Sequence, residues 1–195
     1  MLEMTRKWAP MAAAIYGLLA LPNSGFCATE VPLVLSGPGL NGPDLPRVEL
    51  KAASKATIVA FVSSRCPCSA SHELELKRLS ALYTPQGFQF VGVHSNQNEP
   101  IAEAQAHFKL VSFSFPVIHD ERAALADQLG ALKTPHVYVI NPEGKVLYQG
   151  GVDDSHIQQT ASKHYLADAL NSISAGKDPQ PSRTRSLGCV ISRKP

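Results

Sequence analysis

Two cysteines separated by one residue stand between an apolar run and a helical pattern. They are Cys66 and Cys68, in the stretch RCPCSASHELEL at residues 65–76. Thiols at this spacing could form a redox pair or hold a soft metal ion. One of them could also be the working thiol while the other takes no part. The rest of the sequence is needed to choose among these three hypotheses.

The position of Cys66 favours a reactive thiol, because a helix is predicted to begin there. A thiol at a helix start faces backbone N–H groups without helical partners and the positive end of the helix dipole. Both stabilise the thiolate, so the pKa should fall and the nucleophilicity rise. Arg65 would act in the same direction if its side chain pointed inward. Ser63 and Ser64 add a polar flank, which is not typical of a buried structural cysteine.

The spacing leaves the pairing of the thiols open. Positions i and i+2 of a helix point apart, so a Cys66–Cys68 disulfide would require local distortion and would be strained. The residue three positions after Cys66 is Ser69, which cannot form a disulfide. Cys189 lies in an apolar Gly-Cys segment of an otherwise polar tail. That tail could dock beside Cys66 or Cys68, or Cys189 could be a free or merely stapling thiol.

The amino-terminal residues have the layout of a secretory signal peptide. Arg6 and Lys7 precede an apolar stretch at residues 9–21, which a Pro-Asn-Ser-Gly segment ends. The stretch is short for a membrane span. We therefore expect export with loss of residues 1–28, and a periplasmic or secreted protein without stable membrane insertion afterwards. The three cysteines that remain would lie in an oxidising compartment, and the odd number leaves one free or paired outside the chain.

Length and charge limit the class of protein. A chain of 195 residues suggests one domain, and a formal net charge of +2 gives no support for a nucleic-acid partner. We divide the chain into a signal peptide at residues 1–28, a lead segment at 29–45, a domain at 46–175 and a tail at 176–195 that carries Cys189.

Strand and helix patterns alternate through the domain. Apolar, β-branched runs predict strands at residues 57–63, 88–94, 115–119, 136–140 and 145–149, the last two joined as a hairpin. Amphipathic runs predict helices at residues 69–83, 99–110, 121–132 and 155–175, with Asp153-Asp154 as the start signal of the last. The alternation predicts an α/β fold with a central mixed, mostly parallel sheet flanked by helices. Such sheets place their chemistry at the carboxyl ends of strands.

The order of these motifs resembles the thioredoxin-fold superfamily, in the alkyl hydroperoxide reductase/thiol-specific antioxidant (redoxin) branch. It is also similar to bacterial periplasmic thiol–disulfide oxidoreductases. The segment FVSSRCP at residues 61–67 occupies the place of the strand and active-site turn. The segment KTPHVYVINPEGKV at residues 133–146 occupies the place of the Thr-Pro strand and hairpin. Residues 96–132 resemble the extra strand–helix insertion of the redoxin branch.

The resemblance implies a thioredoxin-like fold and an oxidoreductase that acts on thiols and disulfides, with no cofactor. By that resemblance Cys66 is the reactive thiol, Cys68 or Cys189 is the resolving thiol, and Pro135 is a cis proline that faces the active cysteine. The residues expected to contact substrate are Arg65, Pro67 and Thr134. The expected partners are a protein thiol or disulfide substrate and an unidentified reductant.

Peroxide reduction by Cys66 through a sulfenic acid is a second hypothesis. Ser63 matches the threonine or serine that peroxiredoxins place three residues before the peroxidatic cysteine. Val59, however, stands where those proteins have a proline. No arginine between residue 122 and the tail supplies the cation that polarises the peroxide. The sequence is thus less well equipped for peroxidase chemistry than for disulfide exchange.

Metal handling is a third hypothesis, and a scaffold merely stapled by its cysteines is a fourth. Cys66, Cys68 and His72 form a C-x-C-x₃-H pattern, a set of soft ligands suited to Cu(I) or Zn(II). His136, next to the predicted cis proline, could approach the same face. The simpler interpretation of His72 is a solvent-facing helix residue. His94 has no ligand spacing and is interpreted as an ordinary residue.

Overall fold

The structure is a computed structural model that describes residues 34–48 and 53–194. The predicted signal peptide at residues 1–28 lies outside the described residues. Within those two ranges, none of the helices has the length and apolar character needed to cross a membrane.

The described ranges contain nine strands and four α-helices. The strands are β1 (Leu35–Gly37), β2 (Leu45–Val48), β3 (Ala56–Val62), β4 (Phe88–His94), β5 (Val117–His119), β6 (Lys133–Thr134), β7 (His136–Ile140), β8 (Val146–Gly150) and β9 (Cys189–Val190). The helices are α1 (Pro67–Tyr83), α2 (Ile101–Val111), α3 (Ala124–Leu129) and α4 (Tyr165–Ser174).

The central sheet has five strands in the order β5-β4-β3-β7-β8. The pairs β3–β4 and β4–β5 are parallel, whereas β3–β7 and β7–β8 are antiparallel. The predicted mixed sheet flanked by helices is confirmed. The sheet is divided evenly between the two kinds of pairing, so it is not mostly parallel. Two further pairs, β1–β2 and β6–β9, form small separate ladders.

The central strand β3 is buried on both faces, as its continuous apolar run predicts. Ile58 and Val62 lie in a cluster that also contains residues of α1, α2 and α4. Val59 and Phe61 point to the opposite face, where they join residues of α3 and Ile191 from the tail. The rigid sheet therefore fixes the end of β3, and with it the turn that carries Cys66.

The last helix is much shorter than predicted. It spans Tyr165–Ser174, and residues 155–164 form a loop with a single 3₁₀ turn at Gln158–Thr160. The Asp154 carboxylate accepts hydrogen bonds from the N–H groups of Ser162 (2.8 Å) and Lys163 (3.0 Å), which holds the loop closed. The prediction that Asp153-Asp154 starts the helix was wrong. A short polar side chain that binds backbone N–H groups stabilises loops as well as helix starts.

The predicted helix at residues 121–132 is also reduced, to α3 at Ala124–Leu129. Arg122 and Ala123 have φ values of 56° and 57°, and Gly130 has φ 70°. These left-handed residues limit the helix at both ends.

In α1 the amphipathic pattern is looser than predicted, since Leu74 and Leu82 are exposed.

Candidate active site

Cys66 caps the amino-terminal end of α1. Its backbone is extended (φ −82°, ψ 114°), and its Sγ atom accepts a hydrogen bond from the N–H of Ser69 at 3.4 Å. Pro67 is the first residue of the helix, a place that favours proline because the missing N–H would have had no helical partner. The helix start and the end of β3 therefore place the sulfur of Cys66 at the carboxyl edge of the sheet, where the sequence predicts the chemistry.

The turn before Cys66 is organised by Ser63. Its Oγ atom accepts hydrogen bonds from the N–H groups of Arg65 (3.2 Å) and Cys66 (3.0 Å). The same hydroxyl donates to Oε1 of Glu99 at 2.5 Å. Because one side chain binds two consecutive N–H groups, the backbone that carries the thiol has little freedom to rotate.

Glu99 is a buried carboxylate that holds this turn through hydrogen bonds with Ser63 and Ser64. Its Oε2 atom accepts hydrogen bonds from the N–H (2.9 Å) and the hydroxyl (2.6 Å) of Ser64, and it lies 2.9 Å from Nε2 of His94. Burial raises the pKa of Glu99, but the hydrogen bonds from His94, Ser63 and Ser64 outweigh it and lower the pKa to about 2. The group is therefore a buried anion that is satisfied by several donors.

The pKa of Glu99 predicts a specific acid sensitivity. An unfolded glutamate has a pKa of about 4.3, so the carboxylate stabilises the fold above that pH, and the contribution is lost as the pH falls toward about 2. We expect the stability advantage of wild type over Glu99→Gln to shrink by about 1–2 kcal/mol between about pH 6 and about pH 3. Urea unfolding of both proteins at the two pH values measures it. If the stability advantage of wild type is the same at both pH values, the lowered pKa of Glu99 is contradicted.

Arg65 points away from the thiol, contrary to the inward orientation considered from the sequence. Its Nε atom donates to Oε1 of Glu103 at 2.8 Å, and the two side chains are 49% and 47% exposed. Surface pairs of this kind contribute little to stability. Arg65 is thus held at the outer edge of the site, and its role in substrate binding stays a prediction.

Thr134 and Pro135 lie on the other side of the thiol. The peptide bond between them is cis, as the resemblance implies. The Cys66 thiol donates a hydrogen bond to the carbonyl oxygen of Thr134 at 3.1 Å. The hydroxyl of Thr134 is buried without a hydrogen-bond partner. The segment between β6 and β7 therefore forms the wall opposite the start of α1.

The carboxyl-terminal tail returns to cover the two cysteines, which is one of the alternatives that the sequence left open for Cys189. Its strand β9 pairs antiparallel with β6, with Cys189 opposite Thr134. The N–H of Cys189 lies 3.4 Å from Sγ of Cys66, to which it donates a hydrogen bond. The Cys68 thiol donates to the carbonyl oxygen of Leu187 at 3.5 Å. The three cysteines in the described part of the chain are free thiols, gathered at one place.

The three thiols differ in acidity. Burial raises the pKa of Cys66, but hydrogen bonds from the Cys189 side chain, the Ser69 N–H and the Cys189 N–H together lower it below the usual value. Burial and the charge of a Cys66 thiolate raise the pKa of Cys68 to about 11. Partial desolvation of its sulfur, together with the hydrogen bond to Cys66, also raises the pKa of Cys189. Cys66 is therefore the thiol that ionises first.

This order predicts the pH dependence of alkylation. Only the thiolate reacts with iodoacetamide, so each rate rises with pH through the pKa of that cysteine. We expect Cys66 to reach its half-maximal rate at a lower pH than Cys68 in the reduced protein, and Cys189→Ala to move the Cys66 midpoint upward by removing a donor. Mass spectrometry of timed alkylations gives both midpoints. Cys68 reacting at the lower pH would contradict the order.

The structure does not support the metal hypothesis. Within residues 34–48 and 53–194, no three His, Cys, Asp or Glu side chains are grouped so that they could hold a metal ion. His72 is 1% exposed, so the solvent-facing interpretation was wrong. Its Nδ1 lies 2.6 Å from the carbonyl oxygen of Cys68, and its Nε2 lies 3.0 Å from Oδ1 of Asp153. Both ring nitrogens are thus engaged by oxygen atoms.

His136 does not complete a ligand set either. The residue is buried beside Pro135, and burial together with the charge of Arg183 lowers its pKa to about 4. Its Nδ1 atom is buried without a hydrogen-bond partner.

Three residues that position the site were not identified from the sequence. The sequence pattern assigns Glu99 only to a helix, gives His94 no role and makes Asp153 part of a helix start. Glu99 and Asp153 contact partners that are distant in sequence, whereas His94 and Glu99 are five residues apart. Spacing along one chain contains no signal for such contacts. A glutamate next to a predicted helix start is most often a first-turn residue that complements the helix dipole.

Comparisons with known proteins identify a family and similar solved structures. The chain matches the Redoxin family over residues 38–166. None of the curated proteins matches it. Among solved structures, an uncharacterized conserved protein from Geobacillus kaustophilus is similar, with 25% identity, a TM-score of 0.75, and coverage of 84% of this chain and 90% of that chain.

Two further structures share the fold at lower identity. A peroxidoxin, BcpB, from Mycobacterium tuberculosis has 16% identity and a TM-score of 0.56, covering 74% of this chain and 93% of its own. A thiol-disulfide oxidoreductase from Bacteroides fragilis NCTC 9343 has 22% identity and a TM-score of 0.50, covering 60% of this chain and 87% of its own. The Redoxin match includes β3, the start of α1 and the Thr134-Pro135 segment. The chain therefore belongs to the Redoxin family and is a thioredoxin-fold oxidoreductase that acts on thiols.

Proposed function

We propose that the protein is an exported thiol–disulfide oxidoreductase in which Cys66 is the reactive thiol and Cys189 is the resolving thiol. The observation that carries the proposal is the contact between them. Cys189 donates its N–H to Sγ of Cys66 at 3.4 Å, and the strand pairing of β9 with β6 holds it there. Cys68 has its own acceptor, the carbonyl oxygen of Leu187.

The reaction with a substrate disulfide needs no further group. The Cys66 thiolate attacks one sulfur of the substrate, and the other substrate sulfur leaves as a thiolate and takes up a proton. Cys189, after loss of its proton, attacks Sγ of Cys66 in the mixed disulfide. The second substrate thiolate leaves, and a Cys66–Cys189 disulfide is formed. The substrate has gained two electrons and the protein has lost two, which a thiol reductant then restores.

The chemistry of the partners follows from that cycle. The substrate proposed is a disulfide, because Cys66 is the thiol that ionises first and Cys189 lies beside it to resolve a mixed disulfide. Export rests on the basic start at Arg6 and Lys7 and on the apolar stretch at residues 9–21. Cell fractionation with a signal-deleted control tests export, and equal amounts outside the cytoplasm for both would sink it.

A non-reducing peptide map tests the assignment of the resolving thiol. Trypsin should release Cys66 and Cys68 together on residues 66–77, and Cys189 on residues 186–193. After oxidation with a small disulfide, we expect these two peptides to be linked through Cys66 and Cys189, with Cys68 free for alkylation. A Cys66–Cys68 bond within the first peptide, with Cys189 free, would overturn the assignment.

Peroxide reduction is a second candidate function, favoured by one observation. Cys66 is 3% exposed beneath the tail, so a small oxidant reaches it more readily than a folded protein does. Its thiolate would attack the peroxide oxygen, an alkoxide or hydroxide would leave, and the sulfenic acid would condense with the Cys189 thiol to release water. Stopped-flow measurement of peroxide consumption tests this function. A rate no faster than that of free cysteine would remove it.

A further inference from the structure

The tail occupies the edge of β6 beside the reactive thiol. Lys133 pairs with Val190 and Thr134 with Cys189. Extended peptides commonly bind by adding a strand to an exposed edge, and here the chain supplies that strand itself. Gly188 allows this close approach, since a Cβ atom there would lie 2.0 Å from the carbonyl oxygen of Thr134.

The tail is anchored by the residues that follow Cys189. Ile191 is 2% exposed and belongs to the core cluster under the sheet. Ser192 donates its N–H to Oδ1 of Asn96 at 2.8 Å, and Arg193 donates to the carbonyl oxygen of Ala131 at 2.6 Å. The segment that carries Cys189 is therefore an integral part of the packed domain.

The docked tail leaves the two sulfur atoms in opposite environments. Cys66 is buried between α1, the Thr134 segment and the tail, whereas Cys189 is exposed. Val190, which follows Cys189 in β9, and Leu132, which directly precedes β6, have side chains that are 71% and 61% exposed. A molecule that approaches this edge from solvent reaches the sulfur of Cys189 and meets Cys66 only after the tail has moved.

We propose that an external thiolate reduces the Cys66–Cys189 disulfide by attacking Sγ of Cys189, so that Cys189 is the residue that forms the mixed disulfide with the reductant. This inference rests on the proposed function and names the entry point for its reductant. The disulfide fixes the tail over Cys66, because a covalent bond prevents the opening that would expose it. In the reduced protein the tail is held only by non-covalent contacts, and its opening gives a substrate disulfide access to Cys66.

The exchange is balanced at each step. The reductant thiolate bonds to Sγ of Cys189, the bond between the two protein sulfurs breaks, and Cys66 leaves as a thiolate. A second thiolate from the reductant then attacks the reductant sulfur of the mixed disulfide. Cys189 leaves and takes up a proton. The protein gains two electrons, and the reductant is oxidised to its disulfide.

The leaving groups favour the same direction of attack. Attack on Cys189 expels Cys66, and attack on Cys66 expels Cys189. The thiol with the lower pKa leaves faster. Hydrogen bonds from Cys189 and from the Ser69 N–H lower the pKa of Cys66, whereas partial desolvation and the neighbouring thiols raise that of Cys189. The N–H of Ser69 stays in place to stabilise the departing thiolate. The exposure of Cys189 and the lower pKa of Cys66 therefore both favour attack on Cys189.

The adduct can be located directly in the full mature chain. The oxidised protein is mapped first, and this map tests the proposed function. It is then mixed briefly with glutathione, quenched with acid and alkylated. In a parallel arm, a single-cysteine variant of a thioredoxin replaces glutathione, which distinguishes a small thiol from a protein thiol. Trypsin separates Cys189, on residues 186–193, from Cys66, on residues 66–77.

We expect the earliest adducts on Cys189 to exceed those on Cys66 by about tenfold or more in at least one arm. The arm that shows it identifies the kind of thiol that the edge accepts. Adducts mainly on Cys66 in both arms, or an even division in both, overturn this inference and leave the proposed function intact. Oxidised protein that carries no Cys66–Cys189 disulfide before the thiol is added overturns both.

Discussion

Replacing Cys66 with serine should reduce the rate of disulfide exchange by about a thousandfold or more, because a serine hydroxyl neither ionises near neutral pH nor forms a disulfide. The measurement is the rate of reduction of a small disulfide by the pre-reduced protein under single-turnover conditions. The Cys66 side chain caps α1 by accepting a hydrogen bond from the N–H of Ser69. Serine is itself a good N-cap, so the fold of Cys66→Ser should be retained.

Cys68→Ser is the matched control, since it removes a sulfur two residues away and leaves the cap unchanged. Burial and the charge of the Cys66 thiolate raise the pKa of Cys68 to about 11, and its thiol donates to the carbonyl oxygen of Leu187. A serine hydroxyl can make the same hydrogen bond. We therefore expect a rate within about threefold of wild type. If Cys68→Ser loses as much activity as Cys66→Ser, the redox pair is Cys66–Cys68 and the tail takes no part.

Replacing Gly188 with alanine should release the tail from the active site. The residue has φ 134°, a conformation that alanine rarely adopts, and the added Cβ atom would lie 2.0 Å from the carbonyl oxygen of Thr134. Since that oxygen belongs to backbone held in β6, it cannot move aside cheaply. We expect formation of the Cys66–Cys189 disulfide to slow by about tenfold or more, because the second thiol loses its fixed position.

The same substitution should change the titration of Cys66. Undocking removes the hydrogen bonds from the side chain and the N–H of Cys189, both of which lower the pKa of Cys66. The pH midpoint of Cys66 alkylation should therefore rise, although the plateau rate should increase because the sulfur is no longer covered. The two effects are separated by recording the full pH profile. A midpoint unchanged from wild type would contradict the proposed role of the tail.

Gly176→Ala controls for backbone strain at Gly188. Gly176 also has a left-handed φ, 71°, but no atom lies within 4 Å of the position that a Cβ would take. Both substitutions place alanine at a positive φ, which costs about 1–3 kcal/mol. Only Gly188→Ala adds the contact with Thr134. A similar loss of disulfide formation in both variants would show that the cause is general destabilisation and not release of the tail.

The sequence determined the elements that place Cys66. A continuous β-branched run, a polar turn and the beginning of a helix follow one another within about a dozen residues. These signals are local, since strand burial, helix capping and the preference of proline for the first helical turn depend on neighbours along the chain. The same local information predicted β4 and β7 at their observed bounds. The mixed sheet and the thioredoxin-like fold then followed from the order of the elements.

The sequence was less informative where the same residue pattern occurs both at helix starts and in loops. Asp153-Asp154 has the composition of a helix start, but Asp154 instead closes a loop with Ser162 and Lys163. Asp153 turns inward to His72, which the helical pattern alone could have placed in solvent. Hydrogen bonds of a short carboxylate have similar geometry in both settings. The choice depends on which groups the folded chain brings near.

Only the tertiary structure decided how the thiols are arranged and what supports them. The path of the tail brings Cys189 to Cys66 across 123 positions of sequence, and Glu99 reaches Ser63 across 36. Such contacts depend on the packing of several elements at once, so no spacing rule along the chain encodes them. The sequence thus specified a thiol at a helix start. The folded chain determined that this thiol is buried, that a carboxylate beneath it fixes the turn, and that the exposed thiol is Cys189.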